Sequence, residues 1–269
     1  MKISWRGHKR LEGVDYEILR FVHEESLGAL EHFRMLAEQE ETGETVNGNI
    51  YELTGYGYLV EQFWKQQEIY YFTLGWKGMR ALRSKRKDVA FWHQWIRAYR
   101  PPESLNRQIG PRLKSGLVRL ILRGLGLKHW TSGRVLRERD RRNYPLPAGE
   151  ILACGRKIAV FIEEYRRFPI RDYERLFKAC KDSGYDEVWM IAEWDIHEFI
   201  RETWKSFRTI WPQVWFADYD EFVAKREKTR FINHQKEAFV IGDFGSDVRR
   251  EEEALEKEKQ AEEDADEDY

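Results

Sequence analysis

The apolar positions of the first 76 residues predict three short helices followed by a hairpin. Residues 16–25 carry apolar side chains at helical spacing, and a second such stripe follows Ser26, which we expect to cap it. A third helix begins after Thr45 and stops at Gly55. The hairpin consists of two β-rich runs around a polar turn, Tyr58–Trp64 and Ile69–Leu74.

The apolar pattern after residue 143 predicts a sheet with covering helices. Glu150–Ala153 and Lys157–Glu164 flank a turn at Gly155, as in a hairpin. Arg171–Lys181 has one buried helical stripe, and Val188–Ala192 is the continuous apolar run of a strand covered on both faces. Shorter runs predict a helix, a strand and a helix at residues 196–204, 214–217 and from 220 onward. We therefore predict an α/β fold class for this region and α+β overall.

Charge is distributed very unevenly along the chain. The formal net charge is −1, yet residues 77–142 hold 19 Lys and Arg against 4 Asp and Glu, whereas the first 76 residues are net −6 and the last 27 net −9. The final stretch is acidic and poor in large apolar groups, so we expect it to be disordered. These patterns predict a helical head, a basic helical connector, an α/β domain and an acidic tail, at residues 1–80, 81–142, 143–242 and 243–269.

The composition favours a cytoplasmic protein with its own cores. Apolar residues make up 42% of the chain, with 11 Trp, and no run of about 18 apolar residues predicts a membrane span. The start lacks the apolar core of a signal peptide. The two cysteines, Cys154 and Cys180, fit a reducing compartment, and we expect buried free thiols.

The helical head resembles the winged helix-turn-helix superfamily in its element order and in two phrases. These phrases are LTGYGYL at residues 53–59 and YYFTLGWKG at residues 70–78. In such modules the third helix enters the major groove of DNA, and the hairpin turn reaches the backbone or the minor groove. The resemblance implies that the DNA contacts are made by Asn47 and Asn49 on the third helix and by Lys65, Gln66 and Gln67 in the turn.

The basic connector supplies the charge that the acidic head lacks. Arg112, Arg119 and Arg123 fall near one outer face of a helix predicted over residues 111–127. Double-stranded DNA is the counter-charge that such an excess of cations favours, with an acidic protein or the chain's own tail as alternatives. We therefore add as DNA-binding candidates the residues that follow the hairpin, Lys77, Arg80, Arg83, Lys85, Arg86 and Lys87.

One stretch, Tyr144–Trp194, combines the predicted α/β elements with a motif order. It runs Pro-x-Gly, strand, turn, acidic strand, basic residue, Arg-x-Tyr helix and buried strand. This order resembles the replication-relaxation family of plasmid and mobile-element proteins. That family joins an N-terminal winged helix to a domain similar to restriction endonucleases.

The resemblance implies a position for each catalytic group of the nuclease version of this domain. There an Asp follows the Pro and the second strand carries Glu-x-Lys, so that two carboxylates hold a divalent metal and the Lys steadies the attacking water. In this chain these three positions fall on Ala148, Phe161 and Glu163. A register shifted by one uses Ile162 and Glu164 and fits no better. The resemblance therefore implies a degenerate site and no cofactor.

The enzyme alternative is a Mg²⁺-dependent DNA endonuclease or nickase. Arginine cannot give up its proton to act as a base, and a lone carboxylate is a poor Mg²⁺ site, so the remaining groups are weak replacements. They are Glu150, Glu163, Glu164, Arg166 and Arg167. We expect a protein that is not an enzyme.

The expected function is non-catalytic DNA binding for a plasmid, phage or other mobile element. Replication control is what the family resemblance implies, and transcription regulation is equally compatible with these residues. A two-fold DNA site would require a homodimer, and a replication or regulatory protein is a further expected partner. The second alternative is a protein-docking adaptor, because winged helices also serve as docking modules.

Overall fold

The fold is known from a computed structural model that describes residues 9–40, 46–85, 109–140, 147–164, 169–207 and 213–267. It contains two compact units, residues 1–120 and 121–269. The fold is mixed α/β, with the small helices and a two-stranded sheet in the first unit and a seven-stranded sheet in the second.

The first unit consists of helices around a short antiparallel hairpin. Its elements are α1 (Gly13–Glu25), α2 (Leu30–Gln39), α3 (Val46–Gly55), β1 (Leu59–Trp64), β2 (Ile69–Leu74) and α4 (Trp76–Lys85). The next helix, α5 (Ile109–Gly124), begins in this unit, and the boundary between the units falls within it. The predicted order of three helices and a hairpin is confirmed, with the hairpin register running from Leu59 opposite Leu74 to Trp64 opposite Ile69.

The chain between α1 and α2 adds a third, very short strand to the hairpin. Gly28 and Phe72 exchange backbone hydrogen bonds, Gly28 N to Phe72 O at 3.0 Å and Phe72 N to Gly28 O at 2.8 Å. A Cβ at Gly28 would lie 2.7 Å from the Phe33 ring, so only glycine fits there.

The prediction that Ser26 caps the second helix is wrong. Ser26 ends α1 in the left-handed conformation (φ 74°), and α2 begins only at Leu30 because the residues between them are extended to meet β2. Thr45, the predicted cap of the third helix, lies outside the described residues.

The second unit is built on one sheet whose strands follow the order of the chain. Its elements are β3 (Trp130–Ser132), α6 (Gly133–Asp140), β4 (Gly149–Ala153), β5 (Arg156–Glu163), α7 (Ile170–Asp182), β6 (Glu187–Ala192), α8 (Ile196–Phe207), β7 (Val214–Asp218), α9 (Tyr219–Lys225), a 3₁₀ turn (Arg226–Lys228), β8 (Arg230–Asn233), β9 (Ala238–Val240) and α10 (Ile241–Glu267). Strands β5, β6 and β7 are parallel neighbours, and the other neighbouring pairs are antiparallel.

The two faces of this sheet are covered by different side chains. Side chains at every second residue of β5 and β6, among them Phe161 and Met190, pack in a core with Tyr173 and Phe177 of α7 and Phe199 of α8. The opposite face holds an aromatic cluster in which Trp189 contacts three rings, those of Phe231, Phe239 and Phe244. Both faces of the central strands are thus buried, as their continuous apolar runs predict.

The structure differs from the sequence prediction most at the ends of the chain's second half. The short strands β3, β8 and β9 and the helices α4 and α6 were not predicted. Residues 243–269 were predicted to be disordered, but the structure has them in α10 as far as Glu267. Ile241 and Val248 are buried and anchor this helix, and its remaining length is rich in Glu, Lys and Ala, which are strong helix formers.

Candidate functional site

The third helix presents one predicted DNA-reading residue to solvent. Asn47 is exposed, and Arg34 Nη2 of α2 donates to Asn47 Oδ1 at 3.4 Å. Asn49 is half-buried and has a polar contact within its own surroundings. Tyr51, one turn after Asn47, is 80% exposed. The outward face of α3 therefore carries Asn47 and Tyr51, with a guanidinium beside the amide.

Arg34 is a candidate that the sequence reasoning missed. That reasoning noted only that the third helix itself contains no Lys or Arg. Because consecutive helices of such a module pack against each other, a cation on the end of α2 can serve α3. An exposed Arg on the preceding helix was the signal that could have identified it.

The hairpin turn is exposed along its whole length, as predicted for a DNA-contacting loop. Lys65, Gln66 and Gln67 are all exposed, and the Trp64 indole Nε1 donates to Gln66 Oε1 at 3.3 Å, which restrains the turn. Glu68 completes it in the left-handed conformation at φ 54°. Both helix α3 and this turn offer side chains that can donate and accept hydrogen bonds.

Helix α4 carries the next predicted cations. Arg80 and Arg83 are exposed three residues apart, and therefore on one face of the helix, whereas Lys77 is half-buried and has a partner. The side chain of Lys85 and the whole of Arg86 and Lys87 lie outside the described part of the chain.

The prediction that Arg119 lies on an outward face of its helix is wrong. Its guanidinium forms salt bridges with Glu24 and Glu25 of α1, and its side chain is only 12% exposed. Ser115 Oγ also donates to Glu25 Oε2 at 3.3 Å. An arginine committed to two carboxylates has no charge left for phosphate, so Arg119 binds α5 to α1 instead.

The titration of this cluster is set by its burial and its own charges. Burial alone would raise the pKa of Glu24, but the charges of Arg119 and Arg20 outweigh it and lower that pKa below its ordinary value. Burial likewise would lower the pKa of Arg119, and the charges of Glu25 and Glu24 raise it instead. The other two arginines of the predicted face, Arg112 and Arg123, are half-buried and both have polar partners.

In the second unit, the structure brings together the three positions of the degenerate site. Gly149 pairs with Val160, and the same register, continued by one residue, places Ala148 opposite Phe161. Residues two apart in a strand share a face, so Phe161 and Glu163 lie on the same side of β5. Phe161 is 6% exposed and belongs to the core with α7. A phenyl ring therefore occupies the sheet position that the resemblance assigns to a metal-binding carboxylate.

Glu163 is buried, and two neutral donors hold its carboxylate. The Tyr173 hydroxyl donates to Glu163 Oε2 at 2.5 Å, and Trp194 Nε1 donates to the same oxygen at 3.2 Å. Tyr173 comes from α7, and Trp194 lies just beyond β6. Neither donor was identified from the sequence, because they are 10 and 31 residues from Glu163.

The weaker catalytic candidates do not form a metal site in the described residues. Glu150 is buried and lies 3.3 Å from Lys157 Nζ, and Glu164 is half-buried just after β5. Arg166 and Arg167 fall outside the described ranges. Within those ranges, no group of three or more His, Cys, Asp or Glu side chains is placed to hold a metal ion.

The two cysteines have the character of structural thiols. Cys180 is fully buried in the core with α7, and burial raises the pKa of its thiol to about 12. Cys154 is half-buried, and burial, together with the nearby Glu251, raises its pKa to about 11. Both thiols therefore stay protonated near neutral pH, where they are poor nucleophiles.

Comparisons of the chain with protein-family models, with curated proteins and with solved structures give no match. Across the residues that the structure describes, no helix combines the length and apolar character needed to cross a membrane.

Proposed function

We propose that this chain is a non-catalytic DNA-binding protein whose first unit is a winged helix. The outward face of α3 carries the argument, because it exposes Asn47 beside Arg34. Asn can bind adenine through two hydrogen bonds in the major groove, and Arg can bind either phosphate or guanine. The exposed hairpin turn with Lys65 supports a second contact to the DNA backbone.

The second unit supports the non-catalytic part of this proposal. The order β4, β5, α7 and β6 is the hairpin, crossover helix and parallel strand on which the resemblance to restriction endonucleases depends. Phe161 fills one ligand position, and Glu163 is held by Tyr173 and Trp194. We propose a restriction-endonuclease-like scaffold without metal chemistry, in a cytoplasmic protein of a plasmid, phage or other mobile element that controls replication or transcription.

Duplex binding tests the proposal directly. Fluorescence anisotropy with the full chain and a mixture of labelled duplexes should detect binding at about 50 mM salt and much weaker binding at about 200 mM, because released counterions contribute to affinity. Removal of one phosphate contact should reduce the slope of log K against log salt by about 0.9. We expect this reduction for Lys65→Ala and Arg34→Ala.

The same titration separates base reading from charge. Asn47→Ala should reduce the preference for a selected site over random duplex and leave the salt slope unchanged. Arg175→Ala is the matched control, since this side chain is 68% exposed on α7 and has a salt bridge only with Asp172 on its own helix. Equal affinities for all of these variants and the unaltered chain would exclude α3 and the hairpin turn as the DNA contact.

A second candidate, protein docking through the same unit, is favoured by its exposed apolar side chains. Phe63 is 46% exposed, Tyr70 58%, and the two rings pack at 4.9 Å on the hairpin. Val60, Ile69 and Tyr51 add to this apolar surface, and the first 76 residues are net −6, which disfavours phosphate. An adaptor of this kind predicts no duplex shift at about 50 mM salt, where electrostatic binding is strong.

The nuclease alternative has its own test. Supercoiled plasmid incubated with the chain and Mg²⁺ or Mn²⁺ should remain intact if the scaffold is non-catalytic. Metal-dependent nicking that Glu163→Ala or Glu164→Ala abolishes would overturn the proposal.

A further inference from the structure

A cavity of about 610 Å³ opens in the second unit, on the sheet face opposite α7 and α8. Its lining comes from the last strands of the sheet and the first turns of α10, and it is separate from the Ala148–Glu163 region. Its volume lies in the range of small-molecule sites, about 300–1,000 Å³. Neither the proposed DNA contact nor the degenerate site uses these residues.

Three half-buried aromatic rings form one wall of the cavity. Trp215 and Phe239 have ring centroids 4.9 Å apart, and Phe239 and Phe244 are 5.9 Å apart. Rings this close pack against one another, so they leave no gap between them for a cation, as an aromatic cage would. The wall therefore suits a flat ring lying against it. Among the described residues, the buried Trp215 Nε1 has no hydrogen-bond partner, so it is an unused donor at this wall.

Two of the charged groups that line the cavity are unpaired in the described part of the chain. Arg156 is paired with Glu187 at 2.7 Å, and Asp247 accepts from Arg250 at 2.6 Å. Arg230 and Asp243 have no such partner among the described residues, and both are exposed at the cavity. The pairing of Arg230 with Val240, directly before α10, brings the guanidinium to the end of the sheet from which Asp243 projects.

We infer that this cavity binds a nucleotide. The base lies against Phe239 and Phe244, its N–H edge donates to the Asp243 carboxylate, and the phosphate meets the Arg230 guanidinium. Guanine is preferred to adenine, because the N1–H and the 2-amino group can donate to both oxygens of one carboxylate, whereas adenine offers a single amino group. Arg binds phosphate through two parallel hydrogen bonds, which fixes the orientation of the ligand. This inference does not depend on the proposed DNA binding.

Calorimetric titration of the full chain tests the inference, with GMP as the probe and AMP, guanosine and inorganic phosphate as comparisons. GMP should bind saturably, and guanosine should bind about 10- to 100-fold more weakly, since one charge-assisted contact is lost. Phosphate alone should show no saturable binding, because it cannot use the aromatic wall. Phosphate that binds as tightly as GMP would overturn the inference in favour of a plain anion site.

Variants assign the two ends of the ligand. Arg230→Gln should weaken GMP about 10- to 100-fold and leave guanosine unchanged, while Asp243→Asn should abolish the preference for GMP over AMP. Phe244→Leu, which keeps the packing apolar, should weaken all of the bases. Arg226→Gln is the matched control, because Arg226 is exposed on the adjacent turn and does not line the cavity. Unchanged affinity in Arg230→Gln and Asp243→Asn, or no saturable heat with millimolar GMP, would exclude this site.

Discussion

The two units each bury a glutamate cluster, but they stabilise it by different means. In the first unit, Glu24 and Glu25 are neutralised by the Arg119 guanidinium across helices α1 and α5. In the second unit, Glu163 receives hydrogen bonds from Tyr173 and Trp194, neither of which carries a positive charge. An arginine cluster depends on full charge balance, whereas a carboxylate held by neutral donors depends on hydrogen-bond geometry alone.

This difference bears on what a family motif can and cannot predict. A metal-binding carboxylate must direct its oxygens towards a space that can hold an ion and several waters. Glu163 keeps the position of such a carboxylate, but Tyr173 and Trp194 bind its Oε2 from the protein side. We therefore interpret Glu163 as a residue that fixes α7 and the segment after β6 against β5. The predictions below test this contrast with Arg119, beginning with the largest effect.

Removal of the guanidinium should produce the largest loss of stability. Arg119→Ala leaves Glu24 and Glu25 without their cation in a largely buried position, where an uncompensated charge costs about 3–5 kcal/mol. Urea denaturation of the full chain measures the change. Arg175→Ala, which removes an exposed arginine paired only within its own helix, should change the free energy of unfolding by less than about 0.5 kcal/mol. Equal effects for the two variants would mean that the cluster of Arg119 with Glu24 and Glu25 has no structural role.

Removal of the Glu163 carboxylate should have a somewhat smaller effect. Glu163→Ala leaves the Tyr173 hydroxyl and the Trp194 indole as buried donors without an acceptor, at a cost of about 1–3 kcal/mol for each unsatisfied group. Glu163→Gln keeps an acceptor oxygen and should cost only about 1 kcal/mol. The two variants are compared by urea denaturation in the presence of EDTA and then with Mg²⁺. A stabilisation by Mg²⁺ that Glu163→Gln abolishes would contradict the structural role.

The pH dependence of stability should come from one buried histidine in each unit. Burial lowers the pKa of both His32 and His234 to about 4, below the ordinary value of 6.5. Between these values the unfolded chain binds protons that the folded chain does not, so stability is complete above pH 6.5 and falls towards pH 4. Each histidine should contribute a slope of about 1.4 kcal/mol per pH unit across this window. The lowered pKa of Glu24 adds a further loss at more acidic pH, as that carboxylate takes up a proton.

Single variants separate the two histidines. His32 Nδ1 accepts from Ala29 N at 3.2 Å, and His234 Nε2 lies 2.9 Å from Thr203 Oγ1. His32→Gln and His234→Gln should each remove about half of the slope between pH 6.5 and pH 4 if the two units unfold together, as urea midpoints across this range would show. A slope that neither variant changes would place the proton uptake elsewhere.

The central part of the second unit could be predicted from the sequence for a clear physical reason. Strands β5 and β6 are continuous apolar runs, and α7 has one apolar stripe between them, so local pattern and global fold agree there. Strands β3 and β9 have three residues each, too short for any periodicity, and their pairing with β4 and β8 depends on the rest of the sheet. Length is thus what separates the predicted strands from the missed ones.

The contacts of the candidate sites were harder to predict than the elements that carry them. The spacing of Arg119 places it on one side of its helix, but helical spacing cannot distinguish solvent from a neighbouring helix that presents Glu24 and Glu25. Glu163 was identified on its strand, whereas its donors Tyr173 and Trp194 reach it only through tertiary folding. Identity and strand position were therefore predictable, and the partners of each charge were not.

The smallest expected effect concerns the exposed hairpin, where the first unit differs from the fully covered sheet of the second. Tyr70→Ala removes a ring that is 58% exposed and packs mainly on Phe63 at 4.9 Å, so the free energy of unfolding should fall by less than about 1 kcal/mol. The functional effect should nevertheless differ between the two candidate functions. If the unit binds DNA through α3 and Lys65, duplex affinity should change less than threefold, as anisotropy measures. If the unit docks a protein, sedimentation with that partner or a second copy should show that Tyr70→Ala abolishes association, while Arg34→Ala has no effect.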